Sequence, residues 1–357
     1  MPNIFTSESP IEYTIESRGS RESIFAPPPV PAVSAPPLPE ADSLSLALSV
    51  GDPGVVPTRA APARTGVRGV LGSIGIHLAP SAAEQAQREL DARLADHEGI
   101  VRRATWTRAV SVLVANRKGG AGKTPVSLLL GGTFASIRGG SVCVVEVADD
   151  PGALAFRAEG SPAIGLGELV ESMGRVHTAG QLAGYTAPQT SFASVIGTVA
   201  DRRPLTREDV VGVSALIDSF YSIRVMDSGN QSSSPAFAGA LETADALVIP
   251  VFDSGDAVVE AVSLLDRLRR QGRRAAGLAE RAVILRLDDG RPVPPQVKER
   301  IDHVIARSGV PHVFSVPYDA HIAERGQLTL GRLAPETYRV FAAAAAAIVE
   351  SAQIPIV

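Results

Sequence analysis

Residues 109–124 read AVSVLVANRKGGAGKT and join a short apolar run to a loop rich in glycine and lysine. The apolar run Ala109–Ala115 has the length and β-branched content of a buried strand, and Pro125–Ile137 has the composition of a helix. Glycines allow the loop between them to turn tightly, so that its amide groups and the positive end of the helix dipole surround an anion. We therefore predict a P-loop that binds a nucleoside triphosphate.

The residues of this loop have separate expected roles. Lys123 is placed to contact the outer phosphates, and the hydroxyl of Thr124 is placed to complete a magnesium site. The other residues whose backbone is expected to bind the nucleotide are Gly119, Gly120, Ala121 and Gly122. A glycine-rich loop with incidental lysines is the alternative, but the order of strand, loop and helix argues against it. The expected cofactors are ATP and Mg²⁺.

From residue 108 onward, short apolar runs alternate with helical segments. Further strands are predicted at Ser141–Val147, Phe192–Ile196, Ser222–Met226, Ala246–Val251 and Ala282–Leu287. Helices are predicted at Arg207–Asp218, Ala257–Arg270 and Pro295–Arg307, and from Pro335 through Glu350. This alternation predicts an α/β fold, with an open, mostly parallel sheet covered by helices on both faces. The P-loop ATPase domain is predicted to span residues 108–352.

The region before this domain has a different composition. Ten prolines lie between Pro27 and Pro62, which predicts a disordered tail rich in Pro, Ala and Ser over residues 1–66. The tail is either a spacer or a ligand for a protein partner. Residues 67–107 are predicted to be a linker and an amphipathic helix, the helix over residues 82–103. That helix could pack on the domain, engage a partner or lie on a membrane surface.

Composition excludes several classes of protein. The net charge of −4 argues against wholesale coating of nucleic acid but allows a local basic patch. The single cysteine, Cys143, cannot form an internal disulfide or hold a metal cluster. The longest strictly apolar run, Phe341–Val349, has nine residues, and the N-terminus lacks the order of a secretory signal. We expect a cytoplasmic protein without a transmembrane segment.

The P-loop itself departs from the common sequence. Position 117 is arginine where the common loop has glycine, and Lys118 adds a second lysine. This KGGAGKT variant resembles the deviant Walker A loop of the ParA/MinD family of ATPases. The resemblance implies an ATP-dependent homodimer in which Lys118 reaches across to the nucleotide of the partner.

The resemblance continues over residues 109–350. The segment YSIRVMDSG at 221–229 is similar to the family's second acidic motif, which implies that Asp227 holds magnesium through water. The segment VPYD at 316–319 resembles the late loop that borders the adenine base, which implies contacts from Pro317 and Asp319.

Two departures from the family pattern affect catalysis. The family has a short acidic run whose last aspartate orients the attacking water. Here Asp150 matches that aspartate best. The spacing from the preceding strand is one residue longer than in the family, so Asp149 is the other candidate, and a simple acidic turn without a catalytic role is the alternative. Pro125 replaces a residue with a hydroxyl, so we expect ATP binding to survive and turnover to be slow.

Two features of the sequence bear on the cargo of such an ATPase. An arginine cluster favours sequence-independent DNA binding, with a solvated helix end as the alternative. Its members are Arg267, Arg269, Arg270, Arg273 and Arg274. The arrangement of the N-terminal region resembles an actinobacterial subgroup associated with type VII secretion. We expect a dimerisation switch that hydrolyses ATP, with Lys118, Lys123 and Asp150 as catalytic residues, and that positions DNA or a secretion assembly. The alternative is a scaffold that binds nucleotide without hydrolysis.

Overall fold

The computed structural model describes residues 81–353. The predicted tail, residues 1–66, and residues 67–80 of the predicted linker lie outside this range. Within it, one eight-stranded sheet is covered by helices on both faces. The predicted α/β fold with a mostly parallel sheet is therefore confirmed.

The sheet contains the six predicted strands, each within two residues of its expected ends, and two that were not predicted. The strands are β1 Val110–Val114, β2 Val142–Val147, β3 Ala187–Pro188, β4 Ser194–Ile196, β5 Ile223–Ser228, β6 Ala246–Phe252, β7 Val283–Leu287 and β8 His312–Val316. Their order across the sheet is β3-β4-β2-β5-β1-β6-β7-β8. All neighbours run parallel except β3 and β4.

The helices follow the strands in the pattern of a parallel α/β fold. They are α1 Ala82–Arg103, α2 Lys123–Arg138, α3 Leu154–Arg157, α4 Leu166–Ser172, α5 Ala179–Ala183, α6 Arg207–Asp218, α7 Pro235–Thr243, α8 Gly255–Arg270, α9 Arg273–Glu280, α10 Pro295–Arg307, α11 Ala320–Ala323 and α12 Pro335–Ala352. The helix after the P-loop begins at Lys123, two residues earlier than predicted, and α3, α4, α5, α9 and α11 were not predicted. Among residues 81–353, none of the helices is both long and apolar enough to span a bilayer.

The core lies on both faces of the sheet because the central strands are buried on both sides. Val112 and Val144 pack toward α2 and α12 on one face, where Phe341 of α12 is fully buried. Leu113 and Val145 point to the opposite face, which α6 to α10 cover. Apolar residues on both sides of a strand are typical of a parallel sheet between two helical layers.

The C-terminal half of α1 packs against the sheet-covering helices. Tyr338 of α12 donates a hydrogen bond to the Glu98 carboxylate at 3.1 Å. Arg138, at the end of α2, donates to the carbonyl oxygens of Val101 and Ala104 at 2.8 and 2.9 Å. The helix predicted over residues 82–103 is confirmed. Of the three roles considered for it, this half of the helix packs on the domain.

The register of the central strands brings three functional segments together. Asp227 of β5 lies level with Val114 of β1 on one side and with Glu146 of β2 on the other. The carboxyl ends of these strands therefore meet at one edge of the sheet. The P-loop, the acidic segment after β2 (residues 148–152) and Asp227 all lie at this edge.

Candidate functional site

A cavity of about 850 Å³ opens at the carboxyl ends of the central strands. Its walls include the P-loop, the acidic segment after β2, Asp227 and the loops that follow β7 and β8. Open α/β sheets bind their ligands in a crevice at this edge. A cavity of this volume also falls in the range typical of small-molecule and cofactor sites.

The P-loop backbone requires glycine at two positions. Gly120 and Gly122 have φ angles of +72° and +88°, a region that residues with a side chain rarely adopt. A Cβ atom at Gly122 would also lie 2.3 Å from Cδ1 of Leu287. Asn116 anchors the start of the loop, because its amide donates to the carbonyl of Pro250 and accepts from the amide of Lys118, each at 2.8 Å. The loop is therefore held in shape by the protein itself.

Lys123 lies at the first position of α2, with its side chain buried in the cavity. Its ammonium group donates to the carbonyl of Lys118 at 3.2 Å and to the side-chain oxygen of Asn230 at 2.5 Å. Burial lowers the pKa of Lys123, and the nearby charge of Asp227 acts in the opposite direction. Because its hydrogen-bond acceptors are neutral, this buried cation suits an anionic ligand such as a phosphate group.

Thr124 and Asp227 form a hydroxyl–carboxylate pair beneath the P-loop. The Thr124 hydroxyl donates to Asp227 at 2.7 Å, and the Ser127 hydroxyl lies 3.1 Å from the other carboxylate oxygen. Burial raises the pKa of Asp227 to about 7, and the charge of Glu146 adds to the rise. A buried carboxylate beside a hydroxyl at a phosphate cradle fits a Mg²⁺ ion, whose preferred ligands are oxygens.

Lys118 lies outside this cavity. Its ammonium group is exposed and forms an ion pair with Asp256 at 2.6 Å. The hydrogen bond that Lys118 donates to the Asp256 carboxylate raises the pKa of Lys118. Lys118 lines a smaller neighbouring cavity together with Arg117 and Arg267. The two lysines of the P-loop therefore face different surroundings.

Both candidates for the water-orienting aspartate line the main cavity. Asp149 is half-buried, and its Oδ1 atom is buried without a hydrogen-bond partner among the described residues. Asp150 is exposed. Either carboxylate could act there, so both assignments stay open.

The predicted base-contacting residues also line the cavity, but the two differ. Pro317 is half-buried in the wall. Asp319 accepts hydrogen bonds from the backbone amides of His321 and Ala334 at 2.9 and 3.0 Å. Its carboxylate therefore caps α11 and ties the start of α12.

Sequence reasoning missed several residues of the site. Asn230 holds the Lys123 ammonium, and Glu146 lines the cavity with its Oε2 atom buried and unpartnered within residues 81–353. Both lie at or just after the carboxyl end of a central strand, and this position was the sequence feature that could have identified them as site residues. Arg157, at the end of the short helix α3, and Arg325, just after the short helix α11, add two positive charges to the cavity wall, and neither position carries such a signal.

The five arginines predicted to bind DNA span the end of α8 and the start of α9. Arg269 and Arg274 donate to backbone carbonyls of the residues that follow α10 and α7. Arg270 and Arg273 are exposed, and Arg267 is half-buried beside the smaller cavity. Because Arg267 also donates to the Ser232 hydroxyl at 3.4 Å, three of the five guanidinium groups form hydrogen bonds within the protein.

The sequence has a detectable curated relative. It is 26% identical over 272 residues to the ESX-1 secretion-associated protein EspI of Mycobacterium tuberculosis, with the same values for strains H37Rv and CDC 1551 / Oshkosh. The match covers 73% of this chain, which spans about 38% of the length of the relatives. No protein-family model matches the sequence.

Solved structures share the fold. A ParA family ATPase from Chlorobium tepidum TLS aligns with a TM-score of 0.56 and 19% identity, over 66% of this chain and 98% of that one. The Pyrococcus furiosus cell division ATPase MinD aligns with a TM-score of 0.47 and 18% identity, over 69% and 98%. The described residues thus have the fold of a ParA family ATPase. The resemblance to this family and to secretion-associated relatives, predicted from the sequence, is confirmed.

Proposed function

We propose that this chain is a ParA/MinD-like ATPase that binds and slowly hydrolyses Mg-ATP, dimerises with ATP bound, and positions or regulates a secretion assembly. One observation carries the proposal. Lys123 and the Thr124–Asp227 pair converge in the P-loop cavity, while Lys118 lies outside it on an exposed surface. This separation supports a role for Lys123 in binding the chain's own nucleotide and a role for Lys118 in binding a nucleotide held by another subunit.

The residues of the cavity suit ATP and Mg²⁺. Thr124 and Asp227 would hold the ion, which supplies positive charge to the phosphates when it is bound. Lys123 would bind the outer phosphates and stabilise the negative charge that develops during transfer. Asp150, or Asp149 beside it, would orient the attacking water.

Dimerisation can be tested directly. The Lys118–Asp256 pair is exposed, so exchanging Asp256 for a phosphate group costs little. Light scattering after gel filtration should show an ATP-dependent dimer for Asp150→Ala, in which slow hydrolysis preserves the complex. The matched control is Lys118→Ala in the same background, which should remain monomeric. A monomeric Asp150→Ala protein at saturating ATP would refute the dimer.

A secretion assembly is favoured as cargo because the relative that covers 73% of this chain is named for ESX-1 secretion. In that role the protein would work in the cytoplasm, and its N-terminal region would contact a protein partner. DNA is the other cargo considered. It has weaker support, because Arg269 and Arg274 already donate to backbone carbonyls of the protein.

A second candidate function is a nucleotide-binding scaffold that does not hydrolyse ATP. Pro125 favours it, because this residue lies in the first turn of α2, lines the cavity and has neither a hydroxyl nor an amide hydrogen for a phosphate. The extra residue in the acidic run also favours it.

Magnesium-dependent ATP hydrolysis by the purified chain distinguishes these functions. We expect slow turnover that is lost in Lys123→Ala and is unchanged by non-specific duplex DNA. Turnover raised by DNA would favour DNA as the cargo. Nucleotide binding without turnover would refute the ATPase and favour the scaffold.

A further inference from the structure

One buried arginine holds the backbone of the acidic segment after β2. The guanidinium group of Arg202 donates to three successive carbonyl oxygens, those of Ala148, Asp149 and Asp150, at 2.9, 2.7 and 3.2 Å. Its side chain is 3% exposed, although Arg202 lies in the loop between β4 and α6. Arginine suits this task because its planar group presents five donors in a fixed fork and stays charged.

The charge of Arg202 is balanced by Glu146, the fifth residue of β2. The two side chains form an ion pair at 3.0 Å, and Glu146 is 1% exposed. The same carboxylate oxygen accepts from the Thr198 hydroxyl at 2.5 Å and from the amide of Gly152 at 3.1 Å. Arg202 therefore donates to the carbonyl groups of residues 148–150, while Glu146 accepts a hydrogen bond from the amide of Gly152 at the far end of the segment.

These contacts fix the backbone and leave the carboxylates of the segment available. Asp149 and Asp150 line the nucleotide cavity, whereas Arg202 does not. No hydrogen bond joins Arg202 to either aspartate side chain among those found within residues 81–353; its bonds to these residues are to their carbonyl oxygens. Arg202 thus acts on the orientation of the two acids from behind the cavity wall.

The adjacent Arg203 provides a natural comparison. It also forms an ion pair, with Asp209, but its side chain is 54% exposed. That pair lies at the first turn of α6 and includes no contact with the acidic segment. Replacing Arg203 removes a neighbouring charge and an ion pair but keeps the hydrogen bonds from Arg202 to residues 148–150.

We propose that Arg202 is a positioning residue that holds residues 148–150 so that Asp149 and Asp150 face the phosphates. This proposal rests on the proposed ATPase function. Arg202 sets the rate of hydrolysis through these residues and does not contribute to nucleotide affinity.

The test compares Arg202→Lys, Arg202→Met and the control Arg203→Met in the full chain. Arg202→Lys keeps the charge that balances Glu146 but loses the fork, so it separates positioning from charge balance if Arg202→Met fails to fold. Three measurements are made on each protein. Steady-state kinetics and binding of a fluorescent ATP analogue report turnover and affinity. Hydrogen–deuterium exchange reports the backbone of residues 146–153, with the P-loop residues 116–124 as an internal reference.

For Arg202→Lys we expect turnover to fall about tenfold or more and nucleotide affinity to stay within about twofold of wild type, as for a misplaced catalytic group. Exchange should accelerate in residues 146–153 but not in the P-loop. Arg203→Met should match wild type in all three measurements.

Two results would overturn the proposal. One is unchanged exchange of residues 146–153 in the Arg202 variants. The other is a loss of affinity equal to the loss of turnover. A wild-type chain without turnover would refute the ATPase function itself, and the exchange comparison would then decide alone whether Arg202 holds the segment.

Discussion

Replacing Asp227 with asparagine should stabilise the ligand-free protein while removing its response to magnesium. Asp227 is buried, and burial raises its pKa from the ordinary 3.8 to about 7. A carboxyl group whose folded-state pKa lies above its unfolded-state pKa favours folding least when it is ionised. The folded chain therefore loses stability from this group as pH rises from about 4 to 7. Asparagine has nearly the same shape and no charge, so it removes that loss.

The size of the effect follows from the shift in pKa. At 1.36 kcal/mol per unit, a rise of about three units is worth about 4 kcal/mol at pH 8 and about 0.5 kcal/mol at pH 4. This gain in the free energy of unfolding is reduced because the Thr124 hydroxyl would donate to a neutral instead of a charged acceptor, which costs about 1 kcal/mol. The Ser127 hydroxyl can donate instead to the Lys123 carbonyl, 3.0 Å away, and accept from the new amide. The expected net gain at pH 8 is about 3 kcal/mol.

Urea unfolding in EDTA, without nucleotide, measures this gain. The fluorescence of Trp106, the single tryptophan of the sequence, can follow the transition at pH 4, 6 and 8. The exposed Asp150→Asn variant is the matched control and should change stability little at each pH. Adding Mg-ATP should stabilise the wild type more than Asp227→Asn, in which Lys123 and the P-loop can still bind phosphate but the magnesium ligand is lost. A variant less stable than wild type at pH 8, or a gain that does not depend on pH, would refute the reasoning.

Three further predictions concern other parts of the fold. A Cβ atom at Gly131 in α2 would lie 2.2 Å from Cγ2 of Val144, so Gly131→Ala should destabilise the protein by about 1–3 kcal/mol. Urea unfolding should show a smaller penalty for Gly131→Ala when Val144→Ala is also present, and additive effects would contradict the predicted clash. Pro125→Ser should tighten ATP binding at least about fivefold in calorimetry, because a restored hydroxyl and amide can each contribute about 1 kcal/mol; unchanged affinity would mean that neither group meets a phosphate. Arg138 donates to two carbonyls at the end of α1 and lies 5.0 Å over the ring of Trp106, so Arg138→Ala should accelerate hydrogen exchange in α1. Equal exchange in the variant and wild type would show that other contacts hold α1.

The central strands could be predicted from the sequence because their signal is local. Each is a short run of apolar residues, and burial on both faces imposes that pattern. The edge strands lack it. In β8, His312–Val316, only Val316 is fully buried, and β3 consists of Ala187 and Pro188 alone. A strand that is open on one side needs no continuous apolar run, so the pattern cannot identify it.

The residues of the candidate site likewise divide into those with a local sequence pattern and those without one. The P-loop residues are contiguous, and their glycines, lysines and threonine identify one another by spacing. Arg202 carries no such signal, because the segment ADRRPLT contains two adjacent arginines. One is buried against the acidic segment and the other is exposed, and only the path of the loop over β2 distinguishes them. Residues that act through backbone carbonyls of a distant segment are the part of a site that a single sequence hides.

The charges of the cavity argue that ligand binding and stability are coupled in this protein. Without a ligand, burial raises the pKa of Asp227 and lowers that of Lys123, and Glu146 keeps a buried oxygen unpartnered within the described residues. Each of these conditions opposes folding. Mg²⁺ would favour the charged form of Asp227, and phosphate would favour the charged form of Lys123. Nucleotide binding should therefore stabilise the sheet edge where these groups meet, and Arg202 holds the acidic segment at that same edge.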